Sequence, residues 1–196
     1  MADYLLKEVT VMELAENMRA YSVEEVKELI KADAGLFKAV YLHWTAGRYG
    51  QIYDDYNISI DYDGKIYLPS EDLTAYRSHT WCRNGRGCVG IALCGAYRAV
   101  ANNGYNCTLG DNPPTDKQIE VMSILVALFM KYGLVPIENI MTHCEAAFED
   151  NYGPYSGDPQ TRWDLWYVWD NSLNRMAAGG DTIRGKALWY LQNYNL

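Results

Sequence analysis

The chain carries only three histidines, and each lies in a segment able to do chemistry. His43 closes an apolar run in Tyr41-Leu42-His43-Trp44-Thr45-Ala46-Gly47. His79 sits in the polar stretch Ser78-His79-Thr80-Trp81, and His143 follows another apolar run in Met141-Thr142-His143-Cys144-Glu145. Imidazole is the commonest side-chain ligand for a transition metal near neutral pH. Two histidines and a carboxylate with a fourth position open make a catalytic zinc site. A single histidine at a strand end is more often a hydrogen-bonded structural residue; two that each end an apolar segment can meet at one sheet edge if their strands are neighbours. A long loop after His143 contains Asp158-Pro159.

The elements around these residues follow from pattern. Thr10 to Glu13 and Ser22 to Glu25 have the spacing of helix capping boxes, which predicts two short helices over 10–32. Val23, Val26, Leu29 and Ile30 give the second an apolar face. The run 37–42 is rich in β-formers and predicts a buried strand leading into His43. Residues 56–62 and 65–67 flank Asp63-Gly64 as a hairpin, and 88–94 reads as another apolar strand. Thr115 and Gln118 open a long helix over about 116–132, stopped by Gly133. A short element over 136–141 feeds His143, a loop runs over 144–162, and two C-terminal helices are expected at about 163–176 and 182–194, separated by Gly179-Gly180. This order predicts an α/β domain with a mixed central sheet flanked by helices. A single domain is expected, with its core over about 36–168.

The balance of 17 basic against 25 acidic residues, net charge −8, argues against non-specific nucleic-acid binding, which needs a basic footprint. The 17 tyrosines and 6 tryptophans suit wet grooves that bind sugars or peptides, though half-buried core aromatics explain most of them equally well. Five cysteines without a C-x-x-C pair suggest neither a disulfide framework nor a zinc knuckle, and Cys82 and Cys144 read as buried structural thiols. The first residues lack a basic segment followed by an apolar one, so neither a signal peptide nor a membrane span is expected.

The chain resembles the zinc-dependent type-2 N-acetylmuramoyl-L-alanine amidases, above all phage endolysin catalytic domains. The pieces that carry the likeness occur in order: His43-Trp44-Thr45-Ala46-Gly47; Tyr56-Asn57-Ile58 with Asp63-Gly64-Lys65-Ile66-Tyr67; His79 with Asn84 and Val89-Gly90-Ile91; Thr115 with Gln118; and Thr142-His143-x-Glu145 with Asp158-Pro159. The resemblance implies the type-2 amidase fold shared with peptidoglycan recognition proteins. It implies Zn²⁺ held by His43, His143 and Asp158, the last being the family's acidic residue or cysteine before a proline. Asp164 is a rival carboxylate, set aside because an acidic residue at the start of the expected 163–176 helix has a structural reason to be there.

The resemblance further places Tyr56 near the metal-activated water, His79 beside the scissile carbonyl, and Glu145 as a base or as a residue orienting a ligand. Gly90 is expected to permit close packing under the site. The chain departs from many catalytic members at Ser156, where they carry Lys or Thr, and at Ala92, where some use Glu. The implied activity is hydrolysis of the bond between N-acetylmuramic acid and L-alanine in peptidoglycan, either on the wall after release from the cytoplasm or on cytoplasmic muropeptides. The alternatives are a non-catalytic peptidoglycan-binding module and a metal-free protein with structural histidines.

Overall fold

The computed structural model describes residues 12–159 and 161–196. In chain order the elements are β1 (Met12–Leu14), β2 (Ala20–Tyr21), α1 (Val23–Ala32), β3 (Ala39–Trp44), β4 (Gln51–Tyr53), β5 (Ile58–Ile60), β6 (Ile66–Tyr67), β7 (Cys88–Leu93), α2 (Asp116–Lys131), β8 (Ile140–Thr142), α3 (His143–Glu149), β9 (Tyr167–Asp170), β10 (Arg175–Ala178) and α4 (Gly179–Asn193). A six-stranded sheet has the order β2-β6-β5-β7-β3-β8. Strands β5, β7, β3 and β8 run parallel, while the β5–β6 and β6–β2 pairs are antiparallel. This is the mixed central sheet of an α/β domain that the order of elements predicts.

The two faces of this sheet differ in chemistry because side chains alternate along a strand. Val40, Leu42 and Trp44 of β3, with Val89, Ile91 and Leu93 of β7, enter the main core together with Ile119, Met122, Leu125, Val126 and Phe129 of α2 and Ile183 of α4. Burying each large aliphatic side chain there stabilises the fold by about 1.5–3 kcal/mol. The intervening residues, Tyr41 and His43 of β3 and Gly90 and Ala92 of β7, point to the other face.

Local signals hold where they are strong. Both expected capping boxes at Ser22–Glu25 and Thr115–Gln118 form, and they open α1 and α2. Gly64, at φ +85°, makes the turn between β5 and β6.

Four expectations are corrected. Of the first helix, Thr10 lies outside the described residues; Met12–Leu14 is instead a strand paired with β4, followed by a 3-10 turn at Ala15–Asn17. The start of the loop expected over 144–162 is helical, as α3. The helix expected over 163–176 is a hairpin, β9 paired with β10. Tyr167, Val168 and Trp169 favour extended backbone, and the Asp170 carboxylate accepts hydrogen bonds from the Ser172 and Leu173 amides at 2.9 and 3.2 Å to build the turn. Asn174 completes it at φ +49°, a conformation asparagine tolerates. Gly179 and Gly180 do not separate helices but open α4. A Cβ at Gly179 would lie 2.0 Å from the Leu165 carbonyl oxygen, and one at Gly180 2.3 Å from Glu145 Oε1.

Candidate metal centre

Sheet register brings the two distant histidines together. Leu42 pairs with Thr142 across the parallel strands β3 and β8, and each histidine is the next residue. Both therefore emerge at the carboxyl ends of neighbouring parallel strands, where open α/β sheets bind ligands. Their ring centroids are 4.8 Å apart, and both are buried, His43 completely. His143 is the first residue of α3, whose N-cap is Thr142. The Thr142 hydroxyl accepts from the Glu145 amide at 3.1 Å, and the Glu145 carboxylate accepts from the Thr142 amide at 2.8 Å.

The carboxylate that joins them is Asp164. Its Oδ2 lies 3.4 Å from His43 Nδ1 and 3.5 Å from His143 Nδ1. The three residues form a group whose ligand atoms all lie within 4.8 Å of one another. Asp164 sits in a turn rather than a helix, and the turn is held on several sides. Its carbonyl accepts from the Cys144 amide at 3.3 Å, the Trp166 amide donates to the Trp163 carbonyl, and the Trp163 ring packs edge-on against Trp44 at 5.1 Å. The next residue, Leu165, is fully buried at φ +56°, against the space that Gly179 leaves open.

Asp158, placed in the ligand set by the resemblance, does not join this group. It lies in a partly exposed turn, where its amide donates to Ser156 Oγ at 3.1 Å and its carbonyl accepts from the Thr161 amide at 3.2 Å. After α3 the chain folds back so that the Arg162 amide and the Thr161 hydroxyl donate to the Tyr152 carbonyl at 3.2 and 2.9 Å, and residues 161–164, not Asp158, line the cavity beside the histidines.

The arrangement fits a metal ion by its chemistry. An imidazole–carboxylate hydrogen bond between ionised partners would be about 2.7–2.9 Å, shorter than either contact seen. Ligand atoms held about 2.0–2.1 Å from a tetrahedral zinc would be about 3.3–3.4 Å apart, close to both. His143 Nε2 is buried without a hydrogen-bond partner among the described residues, so no protein acceptor there competes for this ring's orientation. Burial lowers the His43 imidazole to about 4, against the opposing pull of Asp164, so it is neutral near pH 7 with one nitrogen bare. Burial acts to raise the Asp164 carboxyl, yet the His143 and His43 rings beside it outweigh that and hold it well below the usual carboxylate range. A neutral His43 imidazole beside an ionised Asp164 carboxylate matches the protonation states that zinc takes in its ligands.

The other expected residues are placed as follows. Tyr56 packs its ring 5.1 Å from His43. Burial, with Asp164 and Asp55 nearby, raises its phenol well above the ordinary value, so it keeps its proton. His79 is also on the site face, its ring 5.5 Å from His43, and burial lowers it to about 3. Its Nε2 meets the Cys88 carbonyl at 3.2 Å and its Nδ1 the Thr80 hydroxyl at 2.8 Å. Both nitrogens being engaged, His79 has no N–H to offer a substrate oxygen in this arrangement. Gly90 is what seats this ring: a Cβ there would lie 2.6 Å from His79 Cγ.

Glu145 is not poised as a base. Besides capping α3, its carboxylate receives both Arg184 terminal nitrogens at 2.7 Å. It positions the helix that begins at His143. Of the two thiols, Cys144 is buried as expected, whereas Cys82 is exposed.

His79, Tyr56, His143 and Asp164 line a cavity of about 390 Å³, with Trp44, Arg98 and Arg162 also on its wall. Sequence reasoning missed Thr80, whose hydroxyl also lies 3.2 Å from His43 Nε2. Its only signal was its place beside His79.

No curated protein matches the chain. The family model for N-acetylmuramoyl-L-alanine amidase matches residues 32–159, which takes in both histidines and ends before Asp164. Peptidoglycan amidase chemistry is the activity this family is defined by. With more than half its length matched, the chain belongs to the N-acetylmuramoyl-L-alanine amidase family.

Proposed function

We propose that the protein is a zinc-dependent N-acetylmuramoyl-L-alanine amidase that acts in cell-wall lysis, with the metal held by His43, His143 and Asp164. The observation that carries this reading is the pair of 3.4 and 3.5 Å contacts from one Asp164 oxygen to the two imidazoles, set in the wall of a cavity. When bound, zinc supplies an acidified water as nucleophile and polarises the amide carbonyl. The chain's own residues do the rest. His43 and His143 present bare nitrogens, Asp164 supplies negative charge, and the protonated Tyr56 phenol is placed to donate a hydrogen bond to an oxygen on which charge builds. The cavity holds the muramyl–alanine junction, and the polar wall of Arg98 and Arg162 suits a substrate carrying carboxylates.

Among the described residues no helix is long and apolar enough to cross a membrane. The test is product analysis. Digestion of intact sacculi with zinc-loaded protein releases stem peptides with a new N-terminal L-alanine and no new reducing sugar, and chelation stops it. Activity on soluble muropeptides with none on sacculi would move the role from wall lysis to recycling. Tight wall binding by zinc-loaded protein with no products would make this a recognition module.

A further inference from the structure

We infer that Thr80 and His79 are positioning residues: together they fix His43 in its Nε2–H tautomer, so that Nδ1 is the nitrogen left bare for the metal. The argument is one of proton counting along a chain of contacts that starts at a backbone carbonyl. The Cys88 carbonyl can only accept, so the His79 nitrogen facing it at 3.2 Å, Nε2, carries the proton. A neutral imidazole has one N–H, so His79 Nδ1 is an acceptor. The Thr80 hydroxyl has one hydrogen, and it donates that hydrogen to His79 Nδ1 at 2.8 Å. Thr80 Oγ1 is then left to accept, and it accepts from His43 Nε2–H at 3.2 Å. His43 Nδ1 has no proton and faces Asp164.

Each link of this chain is held from outside it. The Thr80 amide donates to Asn84 Oδ1 at 2.7 Å, which fixes the loop at Thr80. The loop is tied to the end of α3 by Arg83, whose Nε and Nη2 reach the two Asp150 oxygens at 2.6 and 2.8 Å. The His79 ring lies where Gly90 leaves space for it. Cys88 is a residue of β7, which pairs directly with the strand of His43. The carbonyl that begins the chain and the imidazole that ends it therefore belong to one rigid sheet. His43 would otherwise be free to place its proton on Nδ1, toward the Asp164 carboxylate, and so block the ligand atom. Outer partners of this kind typically change metal affinity by about 10–100-fold.

The inference rests on the proposed ligand set, but its first readout does not require metal. In ¹⁵N-labelled, zinc-free protein at neutral pH, two-bond ¹H–¹⁵N correlation distinguishes the tautomers of each histidine. The expected result is His43 and His79 both protonated at Nε2. His43 protonated at Nδ1 would overturn the inference whatever the protein does with zinc. The second readout is zinc affinity by chelator competition. Thr80→Val should lower it by about 10–100-fold and shift His43 toward the Nδ1–H form, and Thr80→Ser, which keeps the hydroxyl, should restore both. Unchanged affinity and tautomer in folded Thr80→Val would also overturn it. Failure of the unaltered protein to bind zinc would remove the proposed function, and the tautomer measurement would still decide the chain from Cys88 to His43.

Discussion

The two faces of the central sheet are built from the same strands, residue by residue in alternation, and they obey different rules. On the face toward α2, Leu42, Ile91 and their neighbours are large, apolar and interchangeable in kind; what matters is volume. On the opposite face, small residues at Gly90 and Ala92 leave space in which His43, His79 and Tyr56 take fixed positions. There the side chains are specified by which atom meets which. Stability and chemistry are thus separated by a single step along each strand, and substitutions on the two faces should report on different properties.

The largest effect should come from the carboxylate of the site face. Asp164→Ala should lose zinc, measured by elemental analysis, and reduce amidase turnover to background, while Asp158→Ala keeps its metal. The opposite outcome would return the ligand role to Asp158. Next, Tyr56→Phe should keep zinc and lower kcat by about 10²–10³, the usual loss for one transition-state donor; wild-type turnover would make the ring a packing residue only.

A paired test addresses the faces themselves. Leu42→Ala should cost about 2–5 kcal/mol in denaturant unfolding while its folded fraction still binds zinc with unaltered affinity. Gly90→Ala, which drives a methyl into the His79 ring, should weaken zinc binding even where the protein is folded. If both variants lose stability alone, the separation of roles does not hold. The smallest effect is expected at Glu145. Glu145→Gln keeps a side chain able to close the capping box and loses the ion pair with Arg184, so it should lower stability by about 0.2–1 kcal/mol, with most of kcat retained; abolished turnover in a folded, zinc-loaded variant would restore it as a base.

The parts of this design that were legible in the sequence are those with strong local signals. The buried strands announce themselves by apolar β-forming runs, and the histidines at their ends follow from counting. Capping boxes at Ser22 and Thr115 place the starts of α1 and α2, whereas the box at Thr142, which opens α3, is not among the expected helix starts because the stretch after it reads as a loop. Asp164 was set aside because the stretch after Trp163 was read as helical, where an acidic first turn is commonplace. Its real setting, a turn held by Cys144 and Gly179, depends on contacts made far along the chain. Thr80 was invisible for a related reason: a threonine in a polar loop has no distinctive pattern, and its role arises only when β3 and β7 bring His43 and Cys88 to either side of the loop. Glu145 was read as chemical because Arg184, which occupies it, lies three elements later, in α4.

The placement of two thiols carries a consequence for durability. Cys144 adjoins a proposed metal ligand, but it is buried, and burial pushes its thiol far above the ordinary value. It stays protonated, so it neither draws a soft metal away from the histidines nor presents the thiolate that peroxide attacks. Cys82 is exposed on the loop beyond Thr80. Oxidants and alkylating reagents should therefore mark this protein at Cys82 well before they touch the thiol beside its centre, and chemical wear would begin at the surface.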